Sequence, residues 1–316
     1  MPPTKPWAAA GRGNIWRGWW DGGVASAPAL PILAARGAAD GPTLVVTGGV
    51  HGDEYEGPAA IHILFEALDP ARLRGTLVGV PVVNVAAWQA RSRVTPADGV
   101  NLNRVFPGRR VSGVEQGPTT ALAEALFEGV VRGCDVLVDL HSGGAALIHL
   151  PLVGWYAGTD GTAEGLARGF DAALHPWIIP DVPGVLSYEA HRVGVTAVAA
   201  EWRGGAGLDP AGASAYLAGL RRVLANMGLL PRESVEPSPR DPRPPIAGDY
   251  QETAVGGLFA PRVALGDRVA AGETLGLLRD PLGIVAAEVP SARAGIVAGL
   301  PHQALLHPGD RVAYVG

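Results

Sequence analysis

A chain of 316 residues with 47% hydrophobic and 17% charged side chains is long enough to bury a sizeable core and too apolar for general disorder. Its formal net charge of −5 leaves no basic footprint for nucleic acid, and no run of 18 apolar residues offers a membrane span. Cys134 is the only cysteine, which excludes an intrachain disulfide and a cysteine-based zinc cluster; beside Gly133 it reads as a small buried thiol.

In chain order, the segment "GRGNIWRGWWDGG" carries charges and glycines where a secretory signal needs an apolar core, so the cytoplasm is the expected compartment. Patterning then predicts a strand over 43–50, a helix over 58–69, a strand over 75–84 and a helix over 119–133. A strand over 135–142, another over 196–202 and a helix over 211–228 follow. The helix over 119–133 has Pro118 before it and Gly133 at its end, a start and a stop signal. Alternating strands and helices predict an α/β fold, a mixed sheet flanked by helices, over residues 1–230. Six prolines in "PRESVEPSPRDPRPP" mark 231–245 as a stiff linker or an extended crossing segment. Short strands separated by Gly-Asp and Pro-Gly turns predict a smaller all-β domain over 246–316.

The stretch "VVTGGVHGDEYEG" (45–57) places His51, Asp53, Glu54 and Glu56 where a buried strand ends. Ligands gather at the carboxyl ends of strands in an open α/β sheet. His51 and Glu54 follow one such strand and His141 closes another, a set of two histidines and a carboxylate that suits a catalytic zinc with an open fourth position. The alternative is a polar turn, with His141 hydrogen-bonded to Asp139 or Ser142. Asp53 and Glu56 are expected to solvate the loop or hold its backbone. His62, His149, His175, His191, His302 and His307 are expected to be structural.

Four segments, "GGVHGDEYEG", "RVTPADGVNLNRVFPG", "VDLHSGG" and "AVAAEWRGG", occur in the order seen in the succinylglutamate desuccinylase/aspartoacylase family. The chain thus resembles this branch of the zinc carboxypeptidase superfamily over roughly residues 40 to 205. The resemblance implies one zinc ion held by His51, Glu54 and His141. It implies Glu201 as the carboxylate that takes a proton from the water activated at the zinc, with Glu189 as the runner-up. Asn103 and Arg104 look like the family's clamp for a substrate carboxylate; a structural pair between Arg104 and Asp98 is the alternative. Arg93 matches the arginine that polarises the scissile carbonyl, with Arg91 close enough in sequence to replace it. Aspartoacylase has an aspartate where this chain has Asn101, which removes a negative charge and leaves the substrate open.

The expected function is zinc-dependent hydrolysis of the amide bond of a small N-acyl amino acid. The alternatives are a carboxypeptidase acting on peptides and a non-catalytic binding member of the fold. The expected partner is the small-molecule substrate, with no nucleic acid and no membrane; homo-oligomerisation is left open. Residues 246–316 also resemble the hammerhead of biotinyl and lipoyl domains. The matching turn, however, has Ser291 and Arg293, and Lys5 is the chain's only lysine. An arginine cannot form the carrier's amide, so a shielding or assembly role is expected instead.

Overall fold

The β-branched runs form the middle of one mixed sheet. The computed structural model describes residues 5–24, 26–108, 115–159, 161–237 and 241–316. Strands β1 (Asn14–Trp20), β2 (Leu30–Arg36), β3 (Ala39–Thr47), β4 (Arg74–Val80) and β5 (Val136–Ser142) are followed by a short β6 (Leu147–His149), which pairs elsewhere. Strands β7 (Leu152–Trp155), β8 (His175–Ile178) and β9 (Thr196–Trp202) complete the sheet, in the order β1-β2-β4-β3-β5-β9-β7-β8. Strands β4, β3, β5 and β9 run parallel to one another, while β1, β2 and β7 join antiparallel.

Alternate residues of the central strands feed two cores, as a period of two requires. Leu44, Val46, Val138, Leu140 and Val198 pack with Ile61, Leu64 and Phe65 of helix α1 (Glu56–Ala67). Val45, Leu137, Ala197 and Ala199 share the other core with residues of the helices that follow α2 (Val85–Ala90). These include Leu122 and Leu126 of α3 (Pro118–Leu126). The flanking set is completed by α4 (Thr162–Arg168), α5 (Leu186–Arg192) and α6 (Pro210–Asn226).

Several boundaries move from their expected places. The strand expected to reach residue 50 stops at Thr47, because Gly48 and Gly49 turn their carbonyls to the N–H groups of Val83 and Asn84 in the next loop. The strand expected over 75–84 likewise ends at Val80, and Asn84 caps α2 through Ala87 N–H (3.1 Å). The helix expected over 119–133 tightens only to Leu126 and continues as a π turn, Phe127–Val131. There the ring of Trp20 lies 2.0 Å from where a Cβ on Gly129 would sit. Strands β1, β2, β7 and β8 and helices α2, α4 and α5 carry no pattern long enough to mark them in sequence. Cys134 is buried, and burial pushes its thiol up to about 12, which leaves it inert as a nucleophile.

The described residues of the proline-rich segment cross the surface as an anchored strap; residues 238–240 lie outside the described residues. Arg168 donates to the carbonyls of Asp241 and Arg243, and Ile246 bridges to Trp177 beside β8. Beyond it come β10 (Asp249–Glu252), β11 (Gly257–Pro261), β12 (Arg268–Val269), β13 (Thr274–Arg279), β14 (Val285–Pro290), β15 (Gly295–Pro301), β16 (Leu305–Leu306) and β17 (Arg311–Val315). They form two small sheets around a separate core of Phe259, Leu275, Leu278, Val297 and Val312. Strand β6 joins the first of these sheets by pairing with β15, so His149 lies opposite Gly299. At the turn after β14, Ser291 Oγ donates to the Arg293 carbonyl and Arg293 pairs with Asp249. Among the described residues no helix is long and apolar enough to cross a membrane.

Candidate active site

The carboxyl ends of β3, β5 and β9 bring the expected ligands together. His51 and Glu54 lie on the loop after β3, and two glycines permit its tight path. Gly49 adopts a left-handed conformation (φ 56°). Gly52 approaches α2 so closely that a Cβ would fall 2.0 Å from the Ala87 carbonyl. His141 sits in β5, in register with Glu201 of β9. His51, Glu54 and His141 are all buried, and one ligand atom from each lies within 4.8 Å of the others.

The two rings present the same nitrogen. His51 Nδ1 faces Glu54 Oε1 at 2.8 Å, and His141 Nδ1 faces Glu54 Oε2 at 2.9 Å. Each Nε2 is met from behind by another oxygen: Asn101 Oδ1 for His51 (3.1 Å) and Asp139 Oδ2 for His141 (3.0 Å). A neutral imidazole has one N–H and cannot donate to oxygens on both sides. Either a second proton or a cation must lie between the Nδ1 atoms and the carboxylate. With a cation there, Nε2–H would donate to the outer oxygens and Nδ1 would be the electron-pair donor, the arrangement that orients metal-binding histidines. The donor set therefore fits a divalent metal ion.

Burial alone would raise the Glu54 carboxyl, but the charges of His51 and His141 and their hydrogen bonds hold it well below the usual range. Burial alone would lower His141, yet Asp139 and Glu54 keep it well above an ordinary imidazole. Burial, with Arg93 close by, lowers His51.

A cavity of about 250 Å³ opens beside this trio, lined by His51, Arg93, Asn103, Arg104, Ser142, His149 and Glu201. Trp177, Ile179, Val182 and Val185 supply an apolar side, and Tyr250 and Arg311 come from the C-terminal strands. Burial pushes the Glu201 carboxyl up to about 8, against the pull of His141. Glu189 lies away from this lining: its carboxylate accepts from Gly184 N–H and faces Arg192. Asp53 and Glu56 accept from the N–H groups of Ala145 and Asp209, and so hold backbone.

The arginines separate clearly. Arg93 reaches the cavity and donates to Glu54 Oε1 at 3.0 Å. Arg91 ends α2 in a left-handed conformation and is exposed. Arg104 lines the cavity, and among the described residues no carboxylate lies within ion-pair reach of it. Asp98 is engaged instead by Thr119, through N–H (3.2 Å) and hydroxyl (2.8 Å). Burial, with Arg311 and Arg93 close by, lowers the Arg104 pKa, while Tyr250 and Glu201 act the other way. Asn103 is partly committed: its Oδ1 accepts from Leu186 N–H at 2.8 Å, while Nδ2 turns toward His141.

Sequence reasoning passes over three residues of this site. His149, expected to be structural, stands in the cavity wall, and Tyr250 and Arg311 stand there with it. The only trace of them in sequence is the short apolar "LIH" run, since their position depends on the pairing of β6 with β15.

Comparison with known proteins gives a consistent result. Residues 40–227 match the model of the succinylglutamate desuccinylase/aspartoacylase catalytic domain. The chain is 31% identical over 297 residues to the N-alpha-acetyl-L-2,4-diaminobutyric acid deacetylase of Halomonas elongata, covering 90% of this chain and 85% of that one. The product-bound ectoine utilization protein EutE (DoeB) of Ruegeria pomeroyi superposes with a TM-score of 0.85 at 28% identity, over 99% of this chain and 98% of that one. A succinylglutamate desuccinylase/aspartoacylase from Rhodobacter sphaeroides superposes with a TM-score of 0.81 at 26% identity, over 96% and 95%.

Proposed function

Because the chain belongs to the succinylglutamate desuccinylase/aspartoacylase family, we propose that it hydrolyses the amide bond of a small N-acyl amino acid with zinc held by His51, Glu54 and His141. The observation that carries this reading is the convergence of two Nδ1 atoms and one carboxylate beside a cavity that also holds Glu201. The deacetylase activity named for the Halomonas relative supports it. The size of the cavity, closed on one side by Tyr250 and Arg311, favours a small substrate over a peptide chain.

Zinc bound there supplies Lewis acidity and brings the ionisation of water down to about pH 7. The chain's own groups do the rest. Arg104 receives the carboxylate of the amino-acid half in two parallel hydrogen bonds. Arg93 donates to the amide carbonyl oxygen and stabilises the negative charge that grows there. Glu201 takes a proton from the attacking water as its oxygen bonds to the carbonyl carbon. It returns that proton to the nitrogen as the C–N bond breaks, so the amine leaves, and the acyl acid gives up water's second proton to leave as the carboxylate. The apolar side of the cavity keeps bulk water from these charges.

A panel of N-acyl amino acids, headed by Nα-acetyl-2,4-diaminobutyrate and including acetyl-aspartate and succinyl-glutamate, tests the reading directly. No turnover of any member by zinc-loaded protein would sink it. Within the panel, a carboxamide analogue of the best substrate should lose roughly 30- to several-thousand-fold in kcat/KM, because removing one partner of a charge pair in such a site typically costs about 2–5 kcal/mol, much of it from the guanidinium left unpaired. Arg104→Ala should lose a similar factor on the carboxylate substrate, and Arg104→Lys should not restore it, since an ammonium lacks the fork. Equal turnover of both analogues by the parent would remove Arg104 from this role.

The outer oxygens carry their own expectation. Asp139→Asn should weaken zinc affinity by about 10–100-fold with the three ligands intact. Competition with a chromogenic chelator measures it, and an unchanged affinity would mean that Asp139 only supports β5.

A further inference from the structure

Two polar atoms beside the cavity are buried, have no hydrogen-bond partner among the described residues and face each other. They are His149 Nδ1 and Glu201 Oε2, 3.9 Å apart. Neither atom offers surface to a water molecule, and a shift of less than 1 Å would bring them into an ordinary hydrogen bond.

The imidazole is held from its other side. Tyr250 Oη lies 2.8 Å from His149 Nε2, and the ring packs over Gly299, where a Cβ would come within 2.8 Å of Cδ2. Tyr250 belongs to β10 and Gly299 to β15, so both restraints come from the C-terminal sheet. Burial, with Arg93 and Arg311 close by, pushes His149 down to about 4, and the ring is neutral with a single N–H. Burial raises the Tyr250 hydroxyl above its ordinary value, so it keeps its proton. If Tyr250 donates to Nε2, the ring's proton sits on Nδ1, aimed at Glu201.

We propose that Tyr250 sets the tautomer of His149 and that His149 Nδ1–H holds Oε2 of Glu201, leaving Oε1 to move the proton. The C-terminal sheet thereby acts on the chemistry through a positioning chain, Tyr250 to His149 to Glu201, and not only as a wall. This rests on the reading of Glu201 as the base. A carboxylate with one oxygen pinned keeps the other at a fixed angle to its target, which is where general-base efficiency is lost when supporting groups are removed. Arg311, whose guanidinium carbon lies 3.8 Å from the centre of the Tyr250 ring, keeps that ring in place without touching the hydroxyl's bond.

Tyr250→Phe removes only the hydroxyl and keeps the ring for Arg311. Long-range 15N–1H spectra of the zinc-loaded full chain should show His149 as the Nδ1–H tautomer in the parent and a shift toward Nε2–H in Tyr250→Phe. In the same protein kcat should fall about tenfold, the scale of one hydrogen bond, with KM and zinc content unchanged. His149→Gln should fall at least as far, and adding Tyr250→Phe to it should cost nothing more, because the two act in series. An Nε2–H tautomer in the parent, a Tyr250→Phe effect confined to KM, or additive losses in the double variant would each overturn the chain. Glu201→Gln separates the two levels. If it retains near-parental activity, the base reading itself fails; if it is inactive while Tyr250→Phe is unimpaired, only the positioning chain fails.

Discussion

Glu201→Gln should lose about 10²–10⁴-fold in kcat while keeping its fold and its zinc, the range that general acid–base catalysis commonly supplies. Glutamine has the shape of glutamate, so the packing at the end of β9 is preserved. Burial already pushes the Glu201 carboxyl up to about 8, close to the working range of a proton-transfer group. Circular dichroism and elemental analysis establish that fold and metal survive, and steady-state kinetics on the best panel substrate give the loss. Glu189→Gln is the control. Its carboxylate serves Gly184 N–H and Arg192, so its loss should leave the chemical step near the parent. Activity of Glu201→Gln within a few-fold of the parent would exclude it as the base.

Removing a ligand should abolish activity altogether and also cost stability. His51→Ala and His141→Ala are each expected to bring zinc content well below one ion per chain. Chelation of the parent should stop turnover, and zinc should restore it. His141→Ala should be the more destabilised of the two. Its ring stands between two buried carboxylates, Asp139 at 3.0 Å and Glu54 at 2.9 Å; its loss takes the ring's bond from Asp139 Oδ2, while Glu54 keeps His51, Arg93 and the Ser142 N–H. Removing one partner of a buried pair typically costs about 3–5 kcal/mol. Asp139 retains only its bond from Thr47 Oγ1, at 2.6 Å. Urea denaturation of the zinc-free proteins reads this difference without reference to catalysis. Unchanged zinc stoichiometry in either variant would strike that residue from the ligand set.

Strand-end position made the trio legible in the sequence. Parallel strands that alternate with helices must all end on the same edge of the sheet, so side chains just past 43–47 and near 141 and 201 are brought to one edge whatever their loops do. The residue types then narrow the chemistry, since histidine and glutamate three apart on a glycine-bound turn suit a metal. The strand bounds were less legible. Val45 and Val46 belong to β3 and Val50 does not, because main-chain bonds from Val83 and Asn84 claim the carbonyls of Gly48 and Gly49, and those bonds lie more than thirty residues away in sequence.

What the sequence by itself determined is therefore the α/β sheet, the edge where chemistry gathers and the kinds of side chain present there; local periodicity and residue type are enough for that. Only the tertiary structure decided which of two neighbouring arginines enters the cavity. Arg91 is turned out by a left-handed helix end, and Arg93, two residues on, is turned in toward Glu54. It also decided that Glu201 and not Glu189 faces the cavity, and that Asn101 and Asp139 stand behind the two rings. Tyr250 meets His149 across 101 residues, because β6 leaves the main sheet to pair with β15. No local pattern encodes that meeting, since it depends on side chains from distant strands being buried together.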